Sequence, residues 1–126
     1  DVADLPAEWN RRYGELLGVT PANDAEGCLQ DVHWSEGLFG YFPSYLLGHL
    51  ISAQLCQAMA SEIGAPEDHV ASGDITPLLG WLRQHVHPVG RALNAEDLVR
   101  QVTGRPLDSA AFLEHVRGKV QASQSV

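Results

Sequence analysis

The sequence predicts an all-α fold, and three observations carry that expectation. Apolar residues recur at steps of three and four along most of the 126-residue chain. Helix punctuation brackets those runs, with Asp, Asn or Pro before them and Gly after them. Strand-like alternation is absent throughout. The expected architecture is five or six helices and one long ordered loop, forming a single helical segment over residues 1–126.

Asp4 and Pro6 mark the first helix start: a capping carboxylate, then a Pro whose missing N–H costs nothing in the first turn. Trp9, Tyr13, Leu16 and Leu17 supply its apolar face. Gly18 closes it and Pro21 prevents continuation. Arg11, Arg12 and Glu15 fall elsewhere and are expected in solvent. Asn23–Glu26 start a short turn leading into residues 27–31. The stretch from Gly27 to Tyr45, GCLQDVHWSEGLFGYFPSY, is too glycine-rich for a helix and too aromatic for a solvated linker. An ordered loop with Trp34 and Phe39 turned inward is its physical reading.

Pro43 then occupies the first turn of the most apolar segment, Ser44–Ile63. Its wide apolar face comprises Leu47, Leu50, Ile51, Leu55, Ala58, Met59 and Ile63, and Gly64 ends it. Pro66–Ala71 reads as a short helix ending at Gly73. Asp74 caps the next helix, with Ile75, Leu78, Leu79, Leu82 and Val86 as its core side. Pro77 is tolerated in the first turn and Pro88 stops the helix. Asn94 with Asp97 resembles a capping box ahead of Leu98, Val99 and Val102, and Gly104 is the stop. Asp108 or Ser109 caps the last helix, whose apolar face is Phe112, Leu113, Val116 and Val120.

Composition excludes several functions. The net charge is −8, with only eight Lys and Arg, and these are scattered. Nucleic-acid backbones need clustered cations, so no nucleic-acid partner is expected. Ser44–Ile63 carries Ser44, His49, Ser52, Gln54, Gln57, Ser61 and Glu62, which marks a core helix and not a membrane span. Cys28 and Cys56 make no disulfide framework and read as small buried hydrophobes in a reducing compartment. With no leader visible at the start of the sequence, the expected location is cytoplasmic.

Six His residues invite a metal site, but none stands in a His-Glu-x-x-His arrangement. His85 and His87 are two apart, so a helix points them in different directions. His33 is either a structural His bonded to backbone or a donor to a substrate or intermediate, and its spacing does not choose. If the long helix reaches back to Tyr41, then Tyr41, Tyr45, His49 and Ser52 form one stripe that lines a cleft or meets a polar helix. The alternative for the tyrosines is burial with satisfied hydroxyls. No nucleophile elbow, phosphate loop or Cys pair occurs. The residues therefore outline half a site.

GCLQDVHW fits the G-x-x-Q-D-x-H-W motif of the carboxypeptidase Taq family of zinc metallocarboxypeptidases. FGYFPSYLLG resembles its G-Y-F-P-T-Y-x-L-G run, and DLPAEWNRRYGELLGVTPANDAEG resembles the approach to the motif. HPVGR, TGRPL and FLEHVRGK are similar to the family's C-terminal end. The resemblance covers nearly the whole chain, with five fixed positions in its eight-residue motif. It implies a C-terminal segment of an enzyme of roughly three to five domain-lengths. The implied fold is an all-helical, two-lobed, neurolysin-like zincin body with a deep cleft.

The resemblance further implies removal of a C-terminal residue from peptides by a metal-activated water. Zinc or another divalent metal, its ligands and the Glu base would belong to an earlier part of such an enzyme, with no metal held by this segment. A His followed eight and twelve residues later by Tyr holds substrate and tetrahedral intermediate in this clan. The matching residues are His33, Tyr41 and Tyr45. His33 and Tyr41 would bind the substrate, and Tyr45 or Tyr41 would donate to the oxyanion, Tyr45 having the better spacing. Gln30, Asp31 and Trp34 would brace the loop. All three site residues are expected on one groove wall. Departures from the family pattern are Ser44 for Thr, His49 for Asn and Val120 for Tyr; the first two bear on substrate preference and the third on packing. The rival reading is a stand-alone helical binding domain that kept the fold without catalysis. Because Ser44–Ile63 carries one charge, Glu62, its open circumference implies a symmetric homodimer.

Overall fold

The computed structural model describes residues 1–124; residues 125 and 126, the end of the polar tail, lie outside the described part. Among the described residues there are six α-helices and no strand. The helices are α1 (Leu5–Leu17), α2 (Pro43–Ile63), α3 (Pro66–Ser72), α4 (Thr76–His85), α5 (Ala95–Thr103) and α6 (Ala110–Gln124). The chain forms two compact units, Asp1–Pro43 and Ser44–Val126.

In the first unit, α1 presents Trp9 and Tyr13 on one face, stacked with ring centroids 4.9 Å apart. Trp34 meets Trp9 edge-on at 5.9 Å. Gly18 ends α1 with φ 68°, a left-handed conformation in which a Cβ is strained. Asp4 occupies the N-cap position, but its carboxylate accepts no hydrogen bond from the helix. Leu16 is 80% exposed and Leu17 is open too, so the apolar face of α1 is buried only toward Trp9 and Tyr13.

The solvent side of α1 is an ion-pair cluster. Arg11 binds Glu8 at 2.7 Å and Glu15 at 2.6 Å, and Arg12 binds Glu8 at 2.6 Å. Hydrogen bonds from Arg11, then Arg12, hold the Glu8 carboxyl down to about 2. A depressed carboxyl contributes stability above its ordinary value near 4.5 and loses it as pH falls through about 2. Far-ultraviolet circular dichroism should therefore show α1 helicity falling between those limits. The loss should be small, and smaller in high salt, because the cluster is exposed.

The predicted loop is partly helical. Residues Cys28–Gln30 and Val32–Glu36 form two 3-10 turns. Asp31 starts the second by accepting the His33 N–H, and Gly37, at φ 71°, ends it with its N–H on the carbonyls of His33 and Trp34. Phe39 contradicts the inward placement expected of it: it is 73% exposed, lying over Trp34 at 6.2 Å and covering it from outside.

In the second unit, punctuation chemistry behaves as the sequence suggests. Asp74 Oδ1 accepts the Thr76 N–H at 3.0 Å, and hydrogen bonds from the Thr76 side chain, then its N–H, lower the carboxyl's pKa. Asn94 Oδ1 takes the Asp97 N–H at 2.9 Å, and Asp108 Oδ1 takes the Ala110 N–H at 2.8 Å. Gly64, Gly73 and Gly104 close α2, α3 and α5. His85 stacks on buried Trp81 at 4.7 Å and lies 3.4 Å from Glu62, while His87 sits on the separate turn His87–Val89.

The core of this unit is Gln54, Met59, Trp81, Val99 and Ala111. Leu47, Ile75, Leu79, Leu113, Val116 and Val120, expected inside, are exposed. Helical periodicity identifies an apolar face, but the five helices of this unit do not supply every face with a partner. Cys28 is buried as expected; Cys56 is exposed, a correction that follows from its place on the open side of α2.

Candidate functional site

Residues 27–31 bring the site's first elements together by close backbone contact. Gly27 is buried, and a Cβ there would lie 3.3 Å from Pro21 and from the Asn23 carbonyl. The Gln30 amide donates to the Ala25 carbonyl, so Gln30 braces the turn from outside while itself exposed. Asp31 follows in extended conformation, aiming its carboxylate over the next turn.

That carboxylate grips one residue twice. Asp31 Oδ1 accepts the His33 N–H at 3.1 Å and lies 2.7 Å from His33 Nδ1. Both side chains are largely buried, 11% exposed for Asp31 and 17% for His33. A carboxylate has no proton to give, so the short contact assigns the Nδ1 proton to the imidazole. The imidazole packs against Tyr41 at 5.0 Å and meets Phe42 edge-on at 5.9 Å. Trp34, the other flank, is held by Trp9 and Phe39 and so fixes the turn that carries His33.

Asp31, His33 and Tyr41 are thus gathered in the first unit. Tyr45 stands on the first turn of α2, in the second unit, 50% exposed. Tyr41 does not belong to that helix, because α2 begins at Pro43 after Gly40 at φ 74°. The stripe therefore starts at Tyr45. Its later members do line a cleft of about 550 Å³, where His49, Ser52 and Cys56 of α2 face Phe112 and His115 of α6. His49 stacks on Phe112 at 6.2 Å. Among the described residues, no group of three or more His, Cys, Asp and Glu is arranged to hold a metal ion.

One residue went unremarked in the sequence except as a polar interruption of an apolar helix. Gln54 is 0% exposed, with its amide spanning the α5–α6 connection: Nε2–H donates to Pro106 O at 2.9 Å, and Oε1 accepts the Asp108 N–H at 3.1 Å. A lone Gln flanked by Ala53 and Leu55 is the available signal, but its partners lie 52 and 54 residues away.

Comparison with known proteins places these residues in context. The family model described as carboxypeptidase Taq (M32) metallopeptidase matches residues 1–120. Carboxypeptidase 1 of Bacillus subtilis is 41% identical over 118 residues, 94% of this chain and 24% of that protein. Thermostable carboxypeptidase 1 of Thermus thermophilus is 41% identical over 119 residues, 94% of this chain and 23% of that protein. The solved M32 carboxypeptidase of Deinococcus radiodurans R1 superposes with a TM-score of 0.89 at 35% identity, covering 99% of this chain and 25% of that one. The chain spans about a quarter of the length of the relatives it matches.

Proposed function

We infer, from a chain that belongs to the carboxypeptidase Taq (M32) metallopeptidase family, that it is the substrate-gripping segment of a peptide-cleaving carboxypeptidase. The observation that carries this reading is the Asp31–His33–Tyr41 cluster, in which a buried carboxylate orients an imidazole against a phenol. Asp31 fixes the His33 ring against Tyr41, and His33 binds the backbone of a bound peptide. Tyr45 donates its hydroxyl to the oxygen that gains charge as the scissile carbonyl becomes tetrahedral, and Tyr41 binds the substrate.

The metal of such an enzyme, zinc or another divalent ion, would polarise that carbonyl and activate water. The described residues offer it no ligand set, so no step is assigned to it in this segment. The substrate is a peptide, cleaved at its last residue. No helix among the described residues is long and apolar enough to cross a membrane. The acidic charge argues against nucleic acid, and the cysteine usage favours a cytoplasmic enzyme.

The test is a blocked-dipeptide hydrolysis assay on the segment alone, run beside calorimetric titration with Zn²⁺. Neither turnover above metal-free buffer nor a tight binding isotherm is expected. Turnover by the segment would overturn its reading as one part of a larger active site. In the full-length enzyme, His33→Ala should raise KM. An unaltered kcat/KM in that variant would favour the binding-domain alternative.

The open apolar faces carry a further expectation. Leu46 and Leu47 on α2, with Leu113, Val116 and Val120 on α6, are exposed. Apolar patches beyond a few hundred Å² are uncommon on monomers. The segment alone should form a symmetric dimer at micromolar concentration. Sedimentation equilibrium checks this, and a clean 13.7 kDa species would refute it.

A further inference from the structure

We propose that the cleft between α2 and α6 takes the apolar stretch of a peptide substrate that precedes the scissile bond, an inference that rests on the oxyanion role given to Tyr45 above. Cleft and Tyr45 both belong to the second unit. At about 100° per helical residue, Tyr45, Ser52 and Cys56 fall within about 40° of one another around α2, and His49 within about 40° of Tyr45. His49, Ser52 and Cys56 all line the cleft. The face that carries Tyr45 therefore continues into the cleft wall, with no break in the helix. Side chains four residues apart on a helix are neighbours, their Cβ atoms about 5–6 Å apart. A peptide whose carbonyl oxygen meets the Tyr45 hydroxyl thus runs within reach of His49.

Length decides which part of the peptide the cleft suits. Its α2 wall runs from His49 to Ala60, a rise of about 16 Å at about 1.5 Å per residue. An extended peptide advances about 3.3 Å per residue, so the wall matches about five residues. A carboxypeptidase releases one residue, and a site for that residue alone needs no such length. The lining decides the chemistry. Ala53 and buried Ala111 contribute an apolar surface. His49 and Phe112, stacked on each other, add an aromatic wall at the end nearest Tyr45 along α2. Further along, Gln57 donates to Glu114 at 3.3 Å and accepts from Arg105. Those polar groups are already bonded within the protein, so apolar contact is the main recognition left to a ligand. Two carboxylates in the lining, Glu67 and Glu114, against one lysine, Lys119, disfavour acidic side chains.

The experiment compares kcat/KM in the full-length enzyme for two blocked peptides with the same last residue: a dipeptide, and a hexapeptide extended with Leu and Phe. Remote binding energy raises kcat/KM, and the hexapeptide should be favoured about 10-fold. Cys56 is exposed on the cleft wall, so a bulky maleimide should attach there and abolish that advantage. Ser52→Trp fills the same cleft from an exposed position and should abolish it without a reagent. An advantage that survives both changes, or none in the unmodified enzyme, overturns the proposal. So does a Cys56 that the reagent fails to reach in the native full-length enzyme, because the rest of that enzyme then covers the cleft. An altered preference for the last residue with no effect of length puts the released residue there instead, and overturns the assignment to the preceding chain. Tyr45→Phe tests the supporting reading separately: it should lower kcat on both peptides by the same factor and leave their ratio alone. If it leaves kcat unchanged while Ser52→Trp still abolishes the advantage, the oxyanion role fails and the cleft stands.

Discussion

Replacing Tyr45 by Phe in the full-length enzyme is expected to lower kcat by about 100- to 1,000-fold, the usual loss for one oxyanion donor. The substitution removes one hydroxyl and keeps the ring. KM should change little, because in the proposed role the hydroxyl bonds a charge that exists only in the transition state. Tyr41→Phe should have the smaller effect on kcat and the larger one on KM, since Tyr41 lies against the His33 ring proposed to bind the substrate. Steady-state kinetics on a blocked dipeptide measure both. An unchanged kcat in both variants would refute the oxyanion role, because no other Tyr follows His33 at this spacing.

Helix limits were legible because their chemistry is local. Asn94 and Asp97 bond each other three residues apart, and Gly104 takes the left-handed turn that ends α5; neither needs knowledge of the rest of the fold. The Val32–Glu36 turn is equally local, and Asp31 two residues before His33 is a readable start for it. The surrounding glycines and aromatics concealed it. Aromatic content signals an ordered environment without saying which ring is outermost, and so Phe39 was misplaced. Burial along α1, α2 and α6 was only half legible. Spacing defines which side of a helix is apolar, while exposure of Leu16, Leu47 and Val120 depends on what lies opposite. The site shows the same division. Short spacing brings Asp31 to His33, but their chemical meaning came from likeness to a known motif. The partners of Gln54 were illegible, because they follow it by more than fifty residues and are backbone atoms, which leave no side-chain signature.

Gln54→Ala in the isolated segment is expected to cost about 3 kcal/mol of stability. About 2 kcal/mol of this is the loss of two partly buried hydrogen bonds, at about 1 kcal/mol each. The remainder, about 1 kcal/mol or more, is the space left by the deleted side chain at a fully buried position. Gln54→Leu keeps most of the volume and loses only the bonds, so it should fall between the wild type and Ala. Native domains are stable by about 5–15 kcal/mol, and a segment whose buried core is Cys28, Gln54, Met59, Trp81, Val99 and Ala111 belongs at the low end. A loss of that size shifts the folded-to-unfolded ratio more than 100-fold, at about 1.4 kcal/mol per factor of ten. Urea unfolding followed by circular dichroism, at one protein concentration for all three proteins, should give midpoints in the order wild type, Leu, Ala. Coincident midpoints would mean that the two Gln54 hydrogen bonds do not hold the α5–α6 connection to α2.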